Sequence, residues 1–211
     1  EGMDKSLGYI MDFLEEKGIA ENTFILFMSD NGGLSLAPPR GGEPHIQNAP
    51  LRAGKGSVYE GGIRVPMLVS APGIGSEARE ESSPVIIEDF FSSILELAGI
   101  EDPELLQQVD GESFVPLLRE GSEPARERVL IWHYPNKWVK NDGPGINYKS
   151  AIRKGDWKLV FHMKSRKMEL FNLKEDLGET TDLSEEHPKK VRELAGILGA
   201  KLSGWEAPMP V

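Results

Sequence analysis

Residues 23–33 read TFILFMSDNGG and join an apolar run to an oxygen-rich pair and two glycines. The run from Thr23 to Ser29 is nearly all apolar, which is typical of a strand that is covered on both faces of a sheet. Before it, residues 4–17 carry four apolar side chains at the spacing of one helix face: Leu7, Ile10, Met11 and Leu14. A helix, a short loop and a buried strand in this order predict an α/β domain, in which helices pack on a sheet.

The pattern continues with a predicted strand over Val65–Ser70 and a predicted helix over Val85–Ala98. Residues 121–128 are polar and charged, and we expect a boundary there that gives domains 1–122 and 123–211. In the second domain we predict four strands and a closing helix: Val129–Tyr134, Tyr148–Arg153, Trp157–Met163, Met168–Asn172 and Pro188–Leu202. Apolar residues alternate in the third of these strands, which predicts one covered face. The expected second domain is a small antiparallel sheet with one helix.

The 211 residues contain no cysteine and carry a formal net charge of -10. The absence of cysteine excludes disulfides, zinc–thiolate sites and cysteine nucleophiles. The negative charge argues against general binding of nucleic acid or of an anionic membrane, so an anionic substrate needs a local positive site. No apolar stretch is long enough to span a bilayer. The chain begins at Glu1, without methionine or a signal-peptide pattern, and we expect that a preceding part has been removed.

Asp30 and Asn31 follow the predicted strand directly and precede Gly32 and Gly33. Carboxylate and amide oxygens suit a calcium ion, which takes about 6–8 oxygen ligands. The pair supplies only part of such a set, and no other carboxylate cluster in the sequence offers an obvious completion. Asp, Asn and Gly are also common turn formers. The spacing alone therefore leaves a metal site and a simple turn as equal alternatives.

Lys55 lies in a second glycine-rich stretch, between Gly54 and Gly56. The spacing does not match the phosphate-binding loop of nucleotide hydrolases, but a lysine on such a loop can bind an anion as a point charge. A solvated loop lysine is the alternative. Glu60 and Arg64, four residues apart, predict a structural ion pair.

Four histidines are candidates for acid–base chemistry. His45 lies in the long irregular stretch 32–56, and His133 lies at the end of a predicted strand. We regard only these two as candidates for a role at the site. His162 is expected on the solvated face of a strand, and His187 is expected at the entry of the last helix.

An ordered series of motifs resembles the C-terminal half of the sulfatases, formylglycine-dependent enzymes of the alkaline-phosphatase superfamily. The series covers nearly the whole chain in family order: Ser29–Gly33, Ala49–Gly56, Tyr59–Pro66, Glu88–Phe91, Leu97–Ile100, Asp110–Ser113, Trp132–Pro135, Ala151–Leu159 and Glu169–Leu173. The resemblance implies part of an alkaline-phosphatase-like α/β sheet domain, followed by the small antiparallel lobe. It also implies a periplasmic or extracellular location.

The resemblance implies roles for four residues. Asp30 and Asn31 match two ligands of the family's calcium ion, Lys55 matches the lysine that contacts the sulfate group, and His133 resembles a position near the substrate pocket. In the family a formylglycine hydrate attacks sulfur, while calcium and lysines stabilise the developing charge. Residues 122–126 formally fit the serine form of the formylglycine site, but we reject them because they follow the metal pair. We expect the nucleophile upstream and no catalytic residue within this chain.

The function implied by the resemblance is hydrolysis of a sulfate ester, with a sulfated carbohydrate or similar small molecule as the substrate. We expect the 211 residues alone to be inactive, since the nucleophile and half of the calcium site are missing. We also predict self-association, because a truncated sheet exposes an edge and an apolar face. Two alternatives remain open. One is a phosphodiesterase or phosphonate monoester hydrolase of the same superfamily, and the other is a non-catalytic binding module.

Overall fold

The computed structural model describes residues 1–35, 48–74, 78–100, 103–119, 128–140 and 143–210. Within these ranges lie four α-helices: α1 (Gly2–Glu16), α2 (Glu60–Ile63), α3 (Asp89–Leu97) and α4 (Pro188–Gly204). Six strands accompany them: β1 (Ile25–Met28), β2 (Met67–Ser70), β3 (Val129–Tyr134), β4 (Lys149–Lys154), β5 (Trp157–His162) and β6 (Met168–Asn172). No helix in this described part has the length and apolar character needed to cross a membrane.

Contacts between residues divide the chain into two compact units. The first consists of Glu1–Phe27 and Met67–Arg126, and the second of Met28–Pro66 and Glu127–Val211. All four candidate site residues fall in the second unit. The predicted boundary between positions 122 and 123 lies outside the described residues, so the assignment of two domains stays a prediction.

In the first unit, α3 begins at Asp89, four residues later than the predicted Val85. The Asp89 carboxylate accepts hydrogen bonds from the backbone N–H groups of Ile86 (2.9 Å) and Glu112 (3.0 Å). Asp89 is fully buried, and these bonds compensate its carboxylate for the loss of water. The bond to Ile86 closes the turn that precedes the helix, and this turn occupies the residues that the pattern assigned to the first helical turn.

Two burial predictions for the first unit are wrong. α1 forms where the spacing predicts it, but none of its residues is buried, and Ile10 and Met11 of the predicted buried face are 53% and 44% exposed. β1 pairs with β2 in a two-stranded sheet, and its four residues are half-buried rather than covered on both faces. Apolar spacing thus predicted the elements correctly but not the surfaces that cover them.

The second unit is built on an antiparallel sheet with the strand order β3-β4-β5-β6. The register aligns one row of aliphatic side chains across one face: Ile131, Ile152, Leu159 and Leu170. α4 packs on this face with three buried leucines: Leu194, Leu198 and Leu202. The predicted lobe of one antiparallel sheet and one helix is therefore confirmed.

The opposite face of the sheet is covered by the segment that follows Lys55 in the chain. Val58 and Tyr59 of this segment pack against three buried side chains: Ala151, Val160 and Phe171. β5 is therefore covered on both faces, whereas its alternating sequence predicted one covered face. This packing is the reason that Met28–Pro66 belongs to the same unit as the sheet.

Candidate functional site

Asp30 and Asn31 lie on a bend directly after β1. The Ser29 hydroxyl donates to the Asn31 carbonyl oxygen (2.9 Å), and the Asn31 side-chain N–H donates to the Gly32 carbonyl oxygen (3.2 Å). Asn31 Oδ1 accepts no hydrogen bond from a described residue. The Asp30 carboxylate is exposed and likewise forms no hydrogen bond or ion pair within the described ranges. Both side chains therefore carry oxygens of the type that a hard cation prefers, without a partner among the described residues.

The described residues do not complete a metal site at this bend. No group of three or more His, Cys, Asp or Glu side chains in the described part of the chain is placed to hold a metal ion. Asp30 and Asn31 offer a carboxylate and an amide oxygen, whereas calcium takes about 6–8 oxygens. The pair fits a calcium site in the type of its donors but not in their number.

Asn48 holds this bend against the loop that carries Lys55. Its side-chain oxygen accepts a hydrogen bond from the Gly33 N–H (2.8 Å), and its side-chain N–H groups donate to the carbonyl oxygens of Gly33 (2.7 Å) and Ala53 (2.9 Å). The Lys55 backbone N–H donates to the same Gly33 carbonyl oxygen (3.0 Å). The structure thus brings Asp30, Asn31 and Lys55 together on two hydrogen-bonded loops.

Glycine is required where these two loops touch. The Gly32 N–H donates to the Gly62 carbonyl oxygen (3.0 Å), and a methyl group at position 32 would overlap the Gly61 carbonyl oxygen. A methyl group on Gly54 would overlap the Gly33 carbonyl oxygen in the same way. The backbones approach so closely that only a residue without a Cβ atom fits.

The Lys55 side chain is half-buried, and its ammonium group forms no hydrogen bond or ion pair with a described residue. A lysine whose backbone is fixed and whose charge has no internal partner is available to an anion. The Lys55 backbone is bonded to Gly33, so one cationic side chain and two potential ligands of a second cation stand on neighbouring loops. This arrangement suits an anionic ester oxygen that is held between a lysine and a metal.

Replacing Asn48 by alanine should lower the free energy of unfolding by about 1–3 kcal/mol, because the Gly33 N–H and the Ala53 carbonyl lose their partner. Urea denaturation followed by circular dichroism measures the change. Asn22→Ala serves as the control, since the Asn22 side chain is exposed and has no hydrogen bond within the described ranges. Equal stabilities of the two variants would contradict the role of Asn48 as a clamp.

A buried ion network, which sequence reasoning missed, joins the Lys55 segment to the sheet. Lys158 of β5 is fully buried, and its ammonium nitrogen lies 2.7 Å from Glu60 Oε1 and 2.9 Å from Glu179 Oε1. Glu179 Oε2 accepts a hydrogen bond from the backbone N–H of Glu60 (2.6 Å). Arg64 lies 3.8 Å from Glu60 Oε2, which confirms the predicted ion pair of these two residues.

Two carboxylates share the single ammonium group of Lys158. Burial raises the pKa of Glu179, although the charge of Lys158 opposes the rise. Arg52 donates to the Glu179 carbonyl oxygen (2.9 Å), and its guanidinium carbon lies 3.9 Å from the centroid of the Tyr59 ring. The network therefore anchors the chain at Arg52 and at Glu60, on both sides of Lys55.

Tyr59 belongs to a second cluster that includes Glu169. The Tyr59 hydroxyl donates to Glu169 Oε2, His162 Nε2 lies 2.8 Å from the same oxygen, and Lys167 donates to Oε1 (2.9 Å). Burial raises the pKa of the Tyr59 hydroxyl, and its bond to Glu169 adds to the rise. Burial alone would raise the pKa of Glu169, but hydrogen bonds from His162, Tyr59 and Lys167 outweigh it and hold that pKa well below its usual range. His162 is thus a half-buried partner of Glu169 rather than a solvated residue.

The lowered pKa of Glu169 predicts a pH-dependent contribution to stability. The contribution is complete above the ordinary glutamate value of 4.5 and is lost as the pH falls, because the unfolded chain takes up the proton first. Glu169→Gln should lower the free energy of unfolding by about 1.5–3 kcal/mol at neutral pH and by progressively less below about pH 4.5. Urea denaturation between pH 7 and pH 3 measures this difference, with exposed Glu175→Gln as the control. A difference that stays constant over this range would contradict the assignment.

His133 is engaged through both ring nitrogens. Nε2 donates to the Pro208 carbonyl oxygen (2.7 Å), and Nδ1 lies 2.8 Å from Ser150 Oγ. In the neutral ring Nδ1 accepts from the Ser150 hydroxyl, since the carbonyl oxygen fixes the proton on Nε2. A substrate contact of His133 stays a prediction, and it requires the exchange of one of these bonds. His45 lies outside the described residues, and His187 stands at the start of α4 as expected.

The two buried clusters join residues that are far apart in the chain. Glu60 and Lys158 are 98 positions apart, and Tyr59 and Glu169 are 110 positions apart. No local spacing indicates such pairs. The one available signal is a lysine inside the otherwise apolar stretch of β5, because a buried lysine requires a carboxylate partner.

Two family models match the chain. A model described as Sulfatase matches residues 1–100, and a model described as N-sulphoglucosamine sulphohydrolase, C-terminal, matches residues 54–205. The second match covers well over half of the chain. Together the two models account for the order of the motifs along nearly all of the sequence.

Similar proteins and structures agree with these models. A protein described as a sulfatase from Formosa agariphila is 35% identical over 219 aligned positions, which cover 97% of this chain and 38% of that protein. Human N-acetylgalactosamine-6-sulfatase is 37% identical over 164 positions, which cover 69% of this chain and 30% of that protein. The crystal structure of Ps i-CgsB in complex with k-i-k-neocarrahexaose is similar with a TM-score of 0.72 and 28% identity, over 97% of this chain and 41% of that structure.

The chain therefore spans less than half of the length of each of these relatives. The structural similarity extends over both units, so the predicted α/β fold is confirmed. The chain belongs to the sulfatase family and contains its C-terminal portion.

Proposed function

We propose that the protein containing this chain hydrolyses sulfate esters and that its substrate is a sulfated carbohydrate. The observation that carries this proposal is the pair of hydrogen-bonded loops that sets Lys55 beside Asp30 and Asn31. Membership of the sulfatase family supports the reaction type. The names of the matched model and of the human relative refer to N-sulphoglucosamine and to N-acetylgalactosamine 6-sulfate, which supports a sulfated sugar.

The described residues supply the binding half of this chemistry. The Lys55 ammonium group would neutralise the sulfuryl oxygens, whose negative charge increases as the ester bond breaks. The Asp30 carboxylate and Asn31 Oδ1 would hold a calcium ion together with ligands from outside the described residues. When bound, such an ion acts as a Lewis acid on a sulfuryl oxygen. His133 would reach the substrate from the end of β3.

The nucleophile of this proposal lies outside the chain. The family resemblance implies that a formylglycine from a part of the protein outside this chain would supply the nucleophile, and we assign that role to no residue of this chain. We therefore infer that the isolated 211 residues do not turn over a sulfate ester, and we place the longer protein in the periplasm or outside the cell.

Two preparations test this proposal with 4-nitrophenyl sulfate and N-acetylgalactosamine 6-sulfate. The full-length protein should release sulfate, and the isolated chain should release none. Turnover by the isolated chain would contradict the proposal that the nucleophile lies outside this chain. A binding module would be favoured if the full-length protein releases sulfate from neither ester and the isolated chain binds a sugar without metal.

Calcium titration of the isolated chain provides a separate test of the metal proposal. With two side-chain ligands, calcium should bind weakly, and Asp30→Asn should remove the remaining heat in a calorimetric titration. Tight binding of calcium by the isolated chain, or binding that survives this substitution, would show that the ion is held elsewhere.

A further inference from the structure

Trp138 lies against the loop that carries the candidate sulfate ligand. Its six-membered ring is so close to Gly56 that a methyl group at this position would overlap the ring atoms Cε3 and Cζ3. Gly56 also has a positive φ of 81°, a conformation that favours glycine. Gly56 directly follows Lys55, so the indole ring rests beside the backbone of the one lysine that the site uses.

Although it contacts Gly56, the Trp138 side chain is 41% exposed. An exposed tryptophan leaves a large apolar surface in contact with water, and nothing in the described part of the chain covers the remainder of this ring. The contact with Gly56 accounts only for the covered part of the ring.

The backbone that presents Trp138 is fixed by Asn147. Asn147 is fully buried, and its side-chain oxygen accepts hydrogen bonds from the backbone N–H groups of Trp138 (2.7 Å) and Val139 (3.2 Å). Its side-chain N–H donates to the Val139 carbonyl oxygen (3.0 Å). Three hydrogen bonds therefore hold the backbone at Trp138 and Val139, which lowers the entropy lost when a ligand contacts the ring.

The same loop is tied directly to the Lys55 segment. The Ser57 hydroxyl donates to the Pro144 carbonyl oxygen (2.9 Å), and the Val58 N–H donates to the Gly145 carbonyl oxygen (3.1 Å). These bonds join the residues just before Asn147 to those just after Lys55. Trp138 and Lys55 are thus parts of one hydrogen-bonded assembly.

The charges around Trp138 match an anionic ligand. The chain carries a net charge of -10, yet the residues on either side of the tryptophan include two exposed lysines, Lys137 and Lys140. Neither forms an ion pair with a described residue. An aromatic ring that is flanked by two exposed lysines is suited to a ligand with both an apolar face and negative charge.

We propose that Trp138 is a stacking platform for a pyranose ring, placed so that a sulfate group on the same sugar reaches Lys55. The C–H groups on one face of a pyranose supply the apolar surface, and Lys137 and Lys140 favour sugars that carry further sulfate groups. This inference rests on the proposed function and identifies its substrate class as pyranose sulfates. Trp138 acts in binding and takes no part in the chemistry.

The experiment is an NMR titration of the 211-residue chain with three probes: N-acetylgalactosamine 6-sulfate, N-sulfoglucosamine and inorganic sulfate. Chemical-shift changes of the protein amides give the affinity for each probe, and saturation transfer to ring protons gives the contacts of the two sugars. Trp138→Ala should weaken the binding of at least one sugar sulfate about tenfold and abolish transfer to its ring protons. It should leave inorganic sulfate unchanged. Trp138→Phe should retain sugar binding to within about threefold, which separates loss of the ring from loss of the fold.

Two matched controls make the outcomes distinct. Trp205→Ala removes a tryptophan of similar exposure (50%) at the end of α4. Because α4 packs on the face of the sheet opposite to Tyr59, this substitution should not change the binding of any probe. Lys55→Ala should weaken the binding of all probes that wild type binds. Unchanged sugar binding in Trp138→Ala, with a loss in Lys55→Ala, would overturn the stacking proposal and leave the proposed function intact. Binding of inorganic sulfate without either sugar would also overturn it, and binding of no probe would overturn the sulfate site as well.

Discussion

Replacing Lys158 by methionine should lower the free energy of unfolding by about 3–5 kcal/mol, which is the usual effect of removing one partner from a buried ion pair. The carboxylates of Glu60 and Glu179 would remain in the interior without the ammonium group that lies 2.7 and 2.9 Å from them. Arg64 cannot replace it, because Arg64 lies 3.8 Å from Glu60 and is itself partly exposed. The loss should be visible in urea denaturation followed by circular dichroism at neutral pH.

Two further variants show whether the loss of stability comes from buried carboxylates that lack a positive partner. Adding Glu60→Gln and Glu179→Gln to Lys158→Met should recover part of the stability, because neutral side chains are less costly to bury than charged ones. Lys174→Met, at an exposed turn position, should change the stability by no more than about 0.5 kcal/mol. A change of less than about 1 kcal/mol in Lys158→Met would contradict the assigned network.

Replacing Lys55 by alanine in the full-length protein should lower kcat/KM for a sulfate ester by about 10²–10³-fold. This is the typical effect of removing one group that stabilises developing negative charge. The stability of the protein should change little, because the ammonium group of Lys55 has no partner among the described residues. Initial rates of sulfate release from one sulfate ester give kcat/KM for wild type and for Lys55→Ala. Lys174→Ala serves as the control.

Lys55→Arg tests whether positive charge alone is sufficient at this position. Arginine keeps the positive charge but presents it as a planar fork on a longer side chain, so activity should be restored only in part. Loss of activity in Lys55→Ala that is accompanied by an equal loss of stability would point to a structural role. Activity within about threefold of wild type would contradict the role of Lys55 as a sulfate ligand.

The C-terminal sheet and its helix were predictable because their signals are local. Apolar alternation, polar turns and the helical spacing before Leu202 each lie within one element, and the structure forms all of these elements. The burial of β5 on both faces was not predictable in this way. It depends on Val58 and Tyr59, which approach the sheet from a segment about a hundred residues earlier.

The candidate site shows the same division between local and distant information. Asp30, Asn31 and Lys55 stand in short motifs that can be identified by their residue types. The clamp that joins them depends on Asn48, whose side chain bonds to Gly33 across 15 positions, and asparagine is too common in loops to signal such a role. Lys158 and Glu179 were missed because their pairing exists only after the sheet has formed.

Rates of the full-length protein on matched sulfate and phosphate esters distinguish a sulfatase from an enzyme of phosphoryl transfer. Initial rates on 4-nitrophenyl sulfate, 4-nitrophenyl phosphate and bis(4-nitrophenyl) phosphate give kcat/KM for the three reaction types in one assay. Sulfate ester hydrolysis as the proposed function predicts that the sulfate ester has the highest kcat/KM and that Lys55→Ala removes most of this activity. A higher kcat/KM for either phosphate ester would contradict it and would assign the protein to phosphoryl transfer.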